Sequence, residues 1–267
     1  MGAAVACGSS SGGSALAPSG VSTITGLTLT VNPPGVGATV NATATAQLSS
    51  GTAAPITSGF TSDASAVATV TSAGAITGVS IGDVSITVTY QGFTASKKVR
   101  VLPNYNGTYS GSYTIDTCTE TGAFATEGLC AQFAAHATLP LAFLNQQSAD
   151  LTTISGQFAL GSLVGTGTGA ISSTGVLTYA GAYITGTGRI ALQNFTGAAP
   201  AVGQISGHFE QLWTDSTSTG QLFLACTIHD LTRVSGGVVA AALPSASPTT
   251  GSSWPERLAL LRSPWRR

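Results

Sequence analysis

The chain has 267 residues, of which only 7% are charged; nine Lys and Arg stand against ten Asp and Glu, for a formal net charge of −1. That balance gives no cationic footprint for nucleic acid, and no apolar run reaches the 18–20 residues a membrane-spanning helix needs. Hydrophobic residues still make up 43% of the chain, too many for disorder throughout, so Ser, Thr and Gly rather than charges must face the water.

The first residues read Met1-Gly-Ala-Ala-Val-Ala-Cys7, followed by Gly-Ser-Ser-Ser-Gly-Gly-Ser. Small residues at Val5 and Ala6 leading into a Cys resemble the end of a bacterial lipoprotein signal. The resemblance implies cleavage before Cys7 and lipid on its thiol, hence a membrane partner through that anchor. The Ser/Gly run after it has the composition of a flexible tether, so residues 1–22 are expected to be signal remnant and tether.

From Thr23 the texture changes to short alternating runs. Leu27, Leu29 and Val31 share one face of the first, with Thr on the other, the period of a half-buried strand. Pro33-Pro34-Gly35 breaks it, and Val40, Ala42, Ala44, Ala46 and Leu48 alternate through the next. Strand patterns recur to Val101, seven in all at close spacing, which indicates a β-sandwich over 23–102. The series Phe60-x-Ser-Asp-x-x-x-Val-Ala-Thr-Val70, then Gly74-x-Ile-Thr-Gly78, then Gly82-x-x-x-Ile86 resembles the bacterial Ig-like domain, group 2. That family usually has Trp where Phe60 stands, so an aromatic core plug is kept. The resemblance implies a stalk or spacer on a bacterial surface, facing protein or carbohydrate. The acids of this segment, Asp63 and Asp83, sit beside turn residues and are expected to cap their own backbone.

Val101-Leu-Pro-Asn-Tyr105 reads as a short, stiff connection. Over 106–234 a second alternating series follows, with strands expected at 106–116, 132–145, 151–159, 163–171, 175–179, 184–192, 202–213 and 221–234. Tyr109, Gly111, Tyr113 and Ile115 share a face of the first. The run Gly165-Thr-Gly-Thr-Gly169 lies inside a strand pattern, where glycine marks a bend or a close approach; no Lys-Ser/Thr follows to make it a phosphate loop. The expected fold class is therefore all-β, an Ig-like sandwich followed by an up-and-down β-barrel-like domain of about eight strands, its last strand closing on its first. The Gly-Thr-Tyr-Ser-Gly start, the mid-domain Ser155-Gly156 strand and the terminal Leu231-Thr-Arg233 resemble barrel-like domains of uncharacterised bacterial secreted proteins and lipoproteins, a likeness that brings no activity with it.

Beyond Cys7 there are three cysteines: Cys118, Cys130 and Cys226. Cys118 and Cys130 flank a loop, and a bridge between them is expected; Cys118 with Cys226 is the rival pairing if first and last strands are neighbours. Alternation places Cys130 with Gln132 and His136 on a polar strand face, and Cys226 with Leu222, Leu224 and Ile228 on an apolar one, as a buried free thiol. No Cys-x-x-Cys suggests zinc or redox chemistry, and no metal or cofactor is expected. His208 and Glu210 flank Phe209 and point to the opposite face; they are the candidate polar site, with a solvated strand face as the plain alternative. Alternation does not bring His136 or His229 to that pair. Glu120 and Glu127 share the loop but are expected to be exposed, without the pairing glycoside hydrolysis needs. Asp230 and Arg233 are expected to pair structurally.

Residues 235–267 begin in linker composition and end in an Arg- and Trp-bearing stretch, expected to be a disordered tail. The chain thus reads as a non-enzymatic bacterial protein, lipid-anchored to the cell envelope or secreted, whose Ig-like spacer presents a barrel for binding or adhesion to a protein or carbohydrate surface. The alternatives are a lipocalin-like carrier of a small apolar ligand, which requires a hollow barrel, and a glycan-acting enzyme.

Overall fold

A computed structural model describes residues 22–133 and 138–234, the side chain of Asp230 apart. The first unit has nine strands: β1 Ile24–Thr30, β2 Thr39–Asn41, β3 Thr43–Leu48, β4 Ala53–Ile56, β5 Phe60–Ser62, β6 Ala68–Val70, β7 Ala75–Gly78, β8 Gly82–Tyr90 and β9 Phe93–Val101. They form antiparallel three-stranded sheets in the orders β1-β3-β4, β2-β7-β6 and β5-β8-β9. There are nine strands rather than seven because two runs each serve two sheets: 38–48 gives β2 and β3, and 60–70 gives β5 and β6. At Ala42 the backbone N–H turns to the Gly74 carbonyl, so β2 pairs with β7 while β3 pairs with β1 and β4.

The core of this unit is built from small aliphatics (Ala44, Ala46, Ala68, Ile76, Val84, Ile86, Val88) around one buried aromatic, Phe60. Gly74 lies under that ring. A β-carbon there would sit 3.2 Å from two ring atoms, and its φ of 91° favours glycine in any case. Burial of the Phe60 ring contributes about 1.5–3 kcal/mol, a large share for a unit whose other core side chains are short. Asp63 reaches beyond its own backbone, and Asp83 turns to the neighbouring strand. Asp63 Oδ1 accepts the Ser85 N–H at 2.8 Å, and Asp83 pairs across the β8–β9 ladder with Arg100 (Nη2–Oδ2 2.8 Å) and diagonally with Lys98 (3.0 Å). The reason is register: Asp83 stands opposite Arg100, so a cross-strand guanidinium is closer than the local turn.

The second unit is a closed antiparallel barrel with strands adjacent in chain order: β10 Gly107–Glu120, β11 Thr138–Gln147, β12 Thr153–Leu160, β13 Leu163–Ile171, β14 Leu177–Thr185, β15 Gly188–Ala198, β16 Gln204–Asp215 and β17 Leu222–Arg233. Closure runs from Tyr109 opposite Arg233 to Glu120 opposite Leu222, which leaves no free sheet edge in the barrel. After β10 the described residues to 133 are helical rather than looped or extended: α1 Ala123–Glu127 and α2 Leu129–Gln132 are separated by Gly128 in the left-handed region. Cys130 therefore sits on a helix, not on a polar strand face.

Inward positions of the barrel carry large rings. Phe158 touches Tyr179 (centroids 6.4 Å apart), Tyr179 touches Phe143 (5.3 Å), Phe143 touches Phe195 (5.5 Å), Phe195 touches Phe209 (6.4 Å) and Phe209 touches Tyr113 (5.2 Å). Edge-to-face contacts of this kind add to the area they bury. The glycines of β13 make room for the rings. A β-carbon at Gly165 would lie 2.4 Å from Phe158 Cζ, and one at Gly167 would lie 2.7 Å from Tyr179 Cε1. They mark a close approach of ring to backbone.

The connection is held into the barrel rim. Leu102 and Tyr105 belong to the barrel core; Tyr105 donates its hydroxyl to the Gly175 carbonyl (2.8 Å) and its N–H to Gln147 Oε1 (2.7 Å). Arg233, at the end of β17, donates to the Asn104 carbonyl and the Tyr109 hydroxyl and lies over the Tyr109 ring. The last strand, the first strand and the connection are thus latched together.

Candidate functional site

His208 and Glu210 both leave the barrel on the outer face of β16, but they take different partners. Glu210 Oε2 accepts from Asn194 Nδ2 at 2.6 Å and from Gln193 Nε2 at 3.5 Å. Asn194 has φ of 50° at a register shift of β15 against β16, so Glu210 pins an irregularity of the barrel wall. His208 turns the other way, its Nδ1 3.0 Å from Thr227 Oγ1.

Thr227 leads to a set of groups that alternation along single strands does not reveal. Its hydroxyl donates to Asp116 Oδ2 (2.7 Å); Thr114 Oγ1 donates to Asp116 Oδ1 (3.4 Å) and lies 3.0 Å from His229 Nε2. Register makes this possible, because Thr227 stands between Thr114 on β10 and His208 on β16. Each threonine has a single hydroxyl proton; that of Thr227 goes to the carboxylate, while Thr114 Oγ1 lies nearer His229 Nε2 than Asp116. With the Thr227 proton directed at the carboxylate, its oxygen is left to accept from His208 Nδ1. The arrangement places two exposed imidazoles on either side of one carboxylate. Among the described residues no group of three or more His, Cys, Asp or Glu side chains is placed to hold a metal ion.

Two cysteines lie where β10 runs into the helical turns, and a third lies within β17. Cys118 and Cys130 are joined in a disulfide, Cα atoms 5.7 Å apart. Glu120 is turned to the same place, its Oε2 accepting the Cys130 N–H at 2.8 Å, while Glu127 is exposed. Cys226 is a free thiol, 1% exposed on the inner wall. Gln211 Nε2 donates to its sulfur at 3.5 Å, and Trp213 Nε1 donates to Gln211 Oε1 at 3.1 Å. Burial pushes the Cys226 thiol up to about 12 and raises the Tyr113 phenol well above its usual range. Gln211 faces the Tyr113 hydroxyl without reaching hydrogen-bonding geometry.

A third feature lies between the two units. Val36 and Ile81 of the first, Pro103 and Asn104 of the connection, and Ala199 and Val202 of the barrel line a cavity of about 290 Å³. Val202 is 64% exposed and Ile81 41%. The groove is apolar, and it joins residues that lie far apart in the chain, which is why the sequence alone does not show it.

Cys7, His136 and the arginines of 235–267 lie outside the described residues, as does the side chain of Asp230. The sequence model of the bacterial Ig-like domain (group 2) matches residues 24–101. No protein of curated function matches the chain. Among solved structures, one of the surface layer protein SbsC, domains 4–9, is similar at 13% identity with a TM-score of 0.28, over 77% of this chain and 31% of that one. This chain therefore spans about a third of the structure it matches.

Proposed function

We propose that the chain is an extracytoplasmic bacterial protein without catalytic activity, held to the envelope by lipid on Cys7. Its Ig-like module spaces and orients the barrel, which binds a protein or carbohydrate surface from outside. The observation that carries this reading is the run of six touching rings through the barrel, from Phe158 to Tyr113. Side chains occupy the volume in which a carrier would keep its ligand, so binding is assigned to the outer surface. The Ig-like match over 24–101 and the Cys118–Cys130 bridge support an oxidising, extracytoplasmic setting.

Two measurements test it. Titration of the purified chain with a long-chain fatty-acid fluorophore should give no saturable one-to-one binding; such binding would restore the carrier reading. Expressed behind its native leader, the chain should fractionate with membranes, and Cys7→Ser should release it to the soluble fraction. Unchanged fractionation would remove the lipid anchor.

A further inference from the structure

We propose that α1 and α2 form a lid over one end of the barrel, locked by the Cys118–Cys130 disulfide, and that reduction of this bond by a dithiol opens the lid and makes Cys226 accessible to thiol-directed reagents. Three observations converge on it. First, the lid has little structure of its own. Its helices are five and four residues long, far below the length at which a helix persists alone. It is held by the apolar anchors Phe124, Leu129 and Phe133, the Glu120 contact to the Cys130 N–H, and the disulfide.

Second, the barrel does not depend on the lid for closure. The β10–β17 ladder runs independently from Tyr109–Arg233 to Glu120–Leu222, and the backbone bonds Thr121 N–H to Gln221 O and Ala123 N–H to Thr219 O continue it to the base of the lid. Those two bonds tie the N-terminal side of the lid to the wall.

Third, the lid sits on a polar path that leads inward. The Phe133 ring meets Trp213 edge-on at 6.2 Å; Trp213 donates to Gln211, and Gln211 donates to the Cys226 sulfur. The Tyr113 hydroxyl, fully buried beside them, has no hydrogen-bond partner of acceptable geometry. Amide, indole, phenol and thiol in one buried cluster are costly in a barrel otherwise filled with rings and aliphatics. They are where water enters once the lid lifts. Burial keeps the thiol protonated in the closed state, and water would lower its pKa toward that of an ordinary cysteine.

The redox step is thiol–disulfide exchange. One thiolate of the dithiol attacks a sulfur of the Cys118–Cys130 bond and forms a mixed disulfide; the second displaces it. Two electrons pass to the protein, Cys118 and Cys130 leave as thiols carrying the two protons, and the reductant leaves as a cyclic disulfide.

The test is the alkylation rate of Cys226 in the full-length chain, followed by peptide mass spectrometry so that Cys7 is counted separately. The oxidised wild type is compared with the same protein in dithiothreitol and with Cys118→Ser/Cys130→Ser, which lacks the bond without adding new thiols. Both altered forms should alkylate at Cys226 at least tenfold faster than the oxidised protein. Their gain in amide exchange should be confined to 121–133. An unchanged rate in either form would overturn the proposal. So would a faster rate accompanied by exchange throughout β10–β17, because that is unfolding rather than lid opening.

Discussion

Around Phe60 the Ig-like module packs alanines, valines and isoleucines, whereas the barrel runs six aromatic rings in contact from wall to wall. Both units draw on the same pool of Thr, Ser, Ala and Gly. They differ in what the inward positions carry and in whether the sheets have edges. Three small open sheets can meet around short side chains. A closed barrel of eight strands encloses a fixed interior, and this one fills it with rings seated on the glycines Gly165 and Gly167. Glycine inside a strand is a weakness where nothing packs on it; here it is the floor for an aromatic ring.

The sharpest way to break that contrast is Phe143→Ala, since its ring touches both Tyr179 and Phe195. It should cost the barrel about 4 kcal/mol. Amide exchange resolved by segment should show β10–β17 loosened and β1–β9 unchanged. Phe60→Ala is the mirror experiment. It should cost the module about 3 kcal/mol, within the usual range for a buried phenylalanine, and leave the barrel's protection intact. Coupled loss in both units would mean that they are one folding unit.

Arg233→Met removes the latch between the last strand, Tyr109 and the Asn104 carbonyl. Charge-assisted bonds of this kind are worth about 1.5–3 kcal/mol together with the partners they leave unpaired. The denaturation midpoint of the barrel should fall accordingly, and exchange should rise first at 103–109. The smallest effect belongs to the module's surface. Arg100, then Lys98, hold the Asp83 carboxyl well below the usual carboxylate range. Because the folded value lies below the unfolded one of about 3.9, this contribution is complete above about pH 5 and is lost as pH falls toward the folded value. Melting of the module should soften slightly on acidification, Asp83→Asn should remove that part of the pH dependence, and added salt should weaken it.

Much of this architecture is readable in the residues themselves. The β13 pattern gives Leu163–Ile171 directly, and the inward alternation of Tyr109, Tyr113 and Ile115 in β10 is the alternation of its buried positions. The misreadings have local causes. A register shift between β14 and β15 places an extra residue in β15, whose buried positions change phase from Ile190 and Leu192 to Phe195 and Gly197; the two runs expected at 175–179 and 184–192 are instead Leu177–Thr185 and Gly188–Ala198, joined by a turn with Gly186 at positive φ. The strand expected from Gln132 starts at Thr138, because Gly122 and Gly128 in the left-handed region, with the disulfide, fold the preceding stretch into helical turns. The carboxylate shared by Thr114 and Thr227, with His208 and His229 at its two sides, depends on cross-strand register through further shifts at Ser110/Ser112, Ile115/Thr117 and Ile205/Gly207. No single-strand pattern encodes that.

The central claim is that the barrel is closed and its interior occupied by side chains, the ground on which the proposed outside binding rests. Native mass spectrometry of the chain recovered from the bacterial envelope tests it most directly, after any lipid at Cys7 has been accounted for through the Cys7→Ser form. The account predicts the mass of the polypeptide with no further small molecule attached. A stoichiometric apolar passenger, retained by the folded protein and released when Phe143→Ala loosens the barrel, would contradict it.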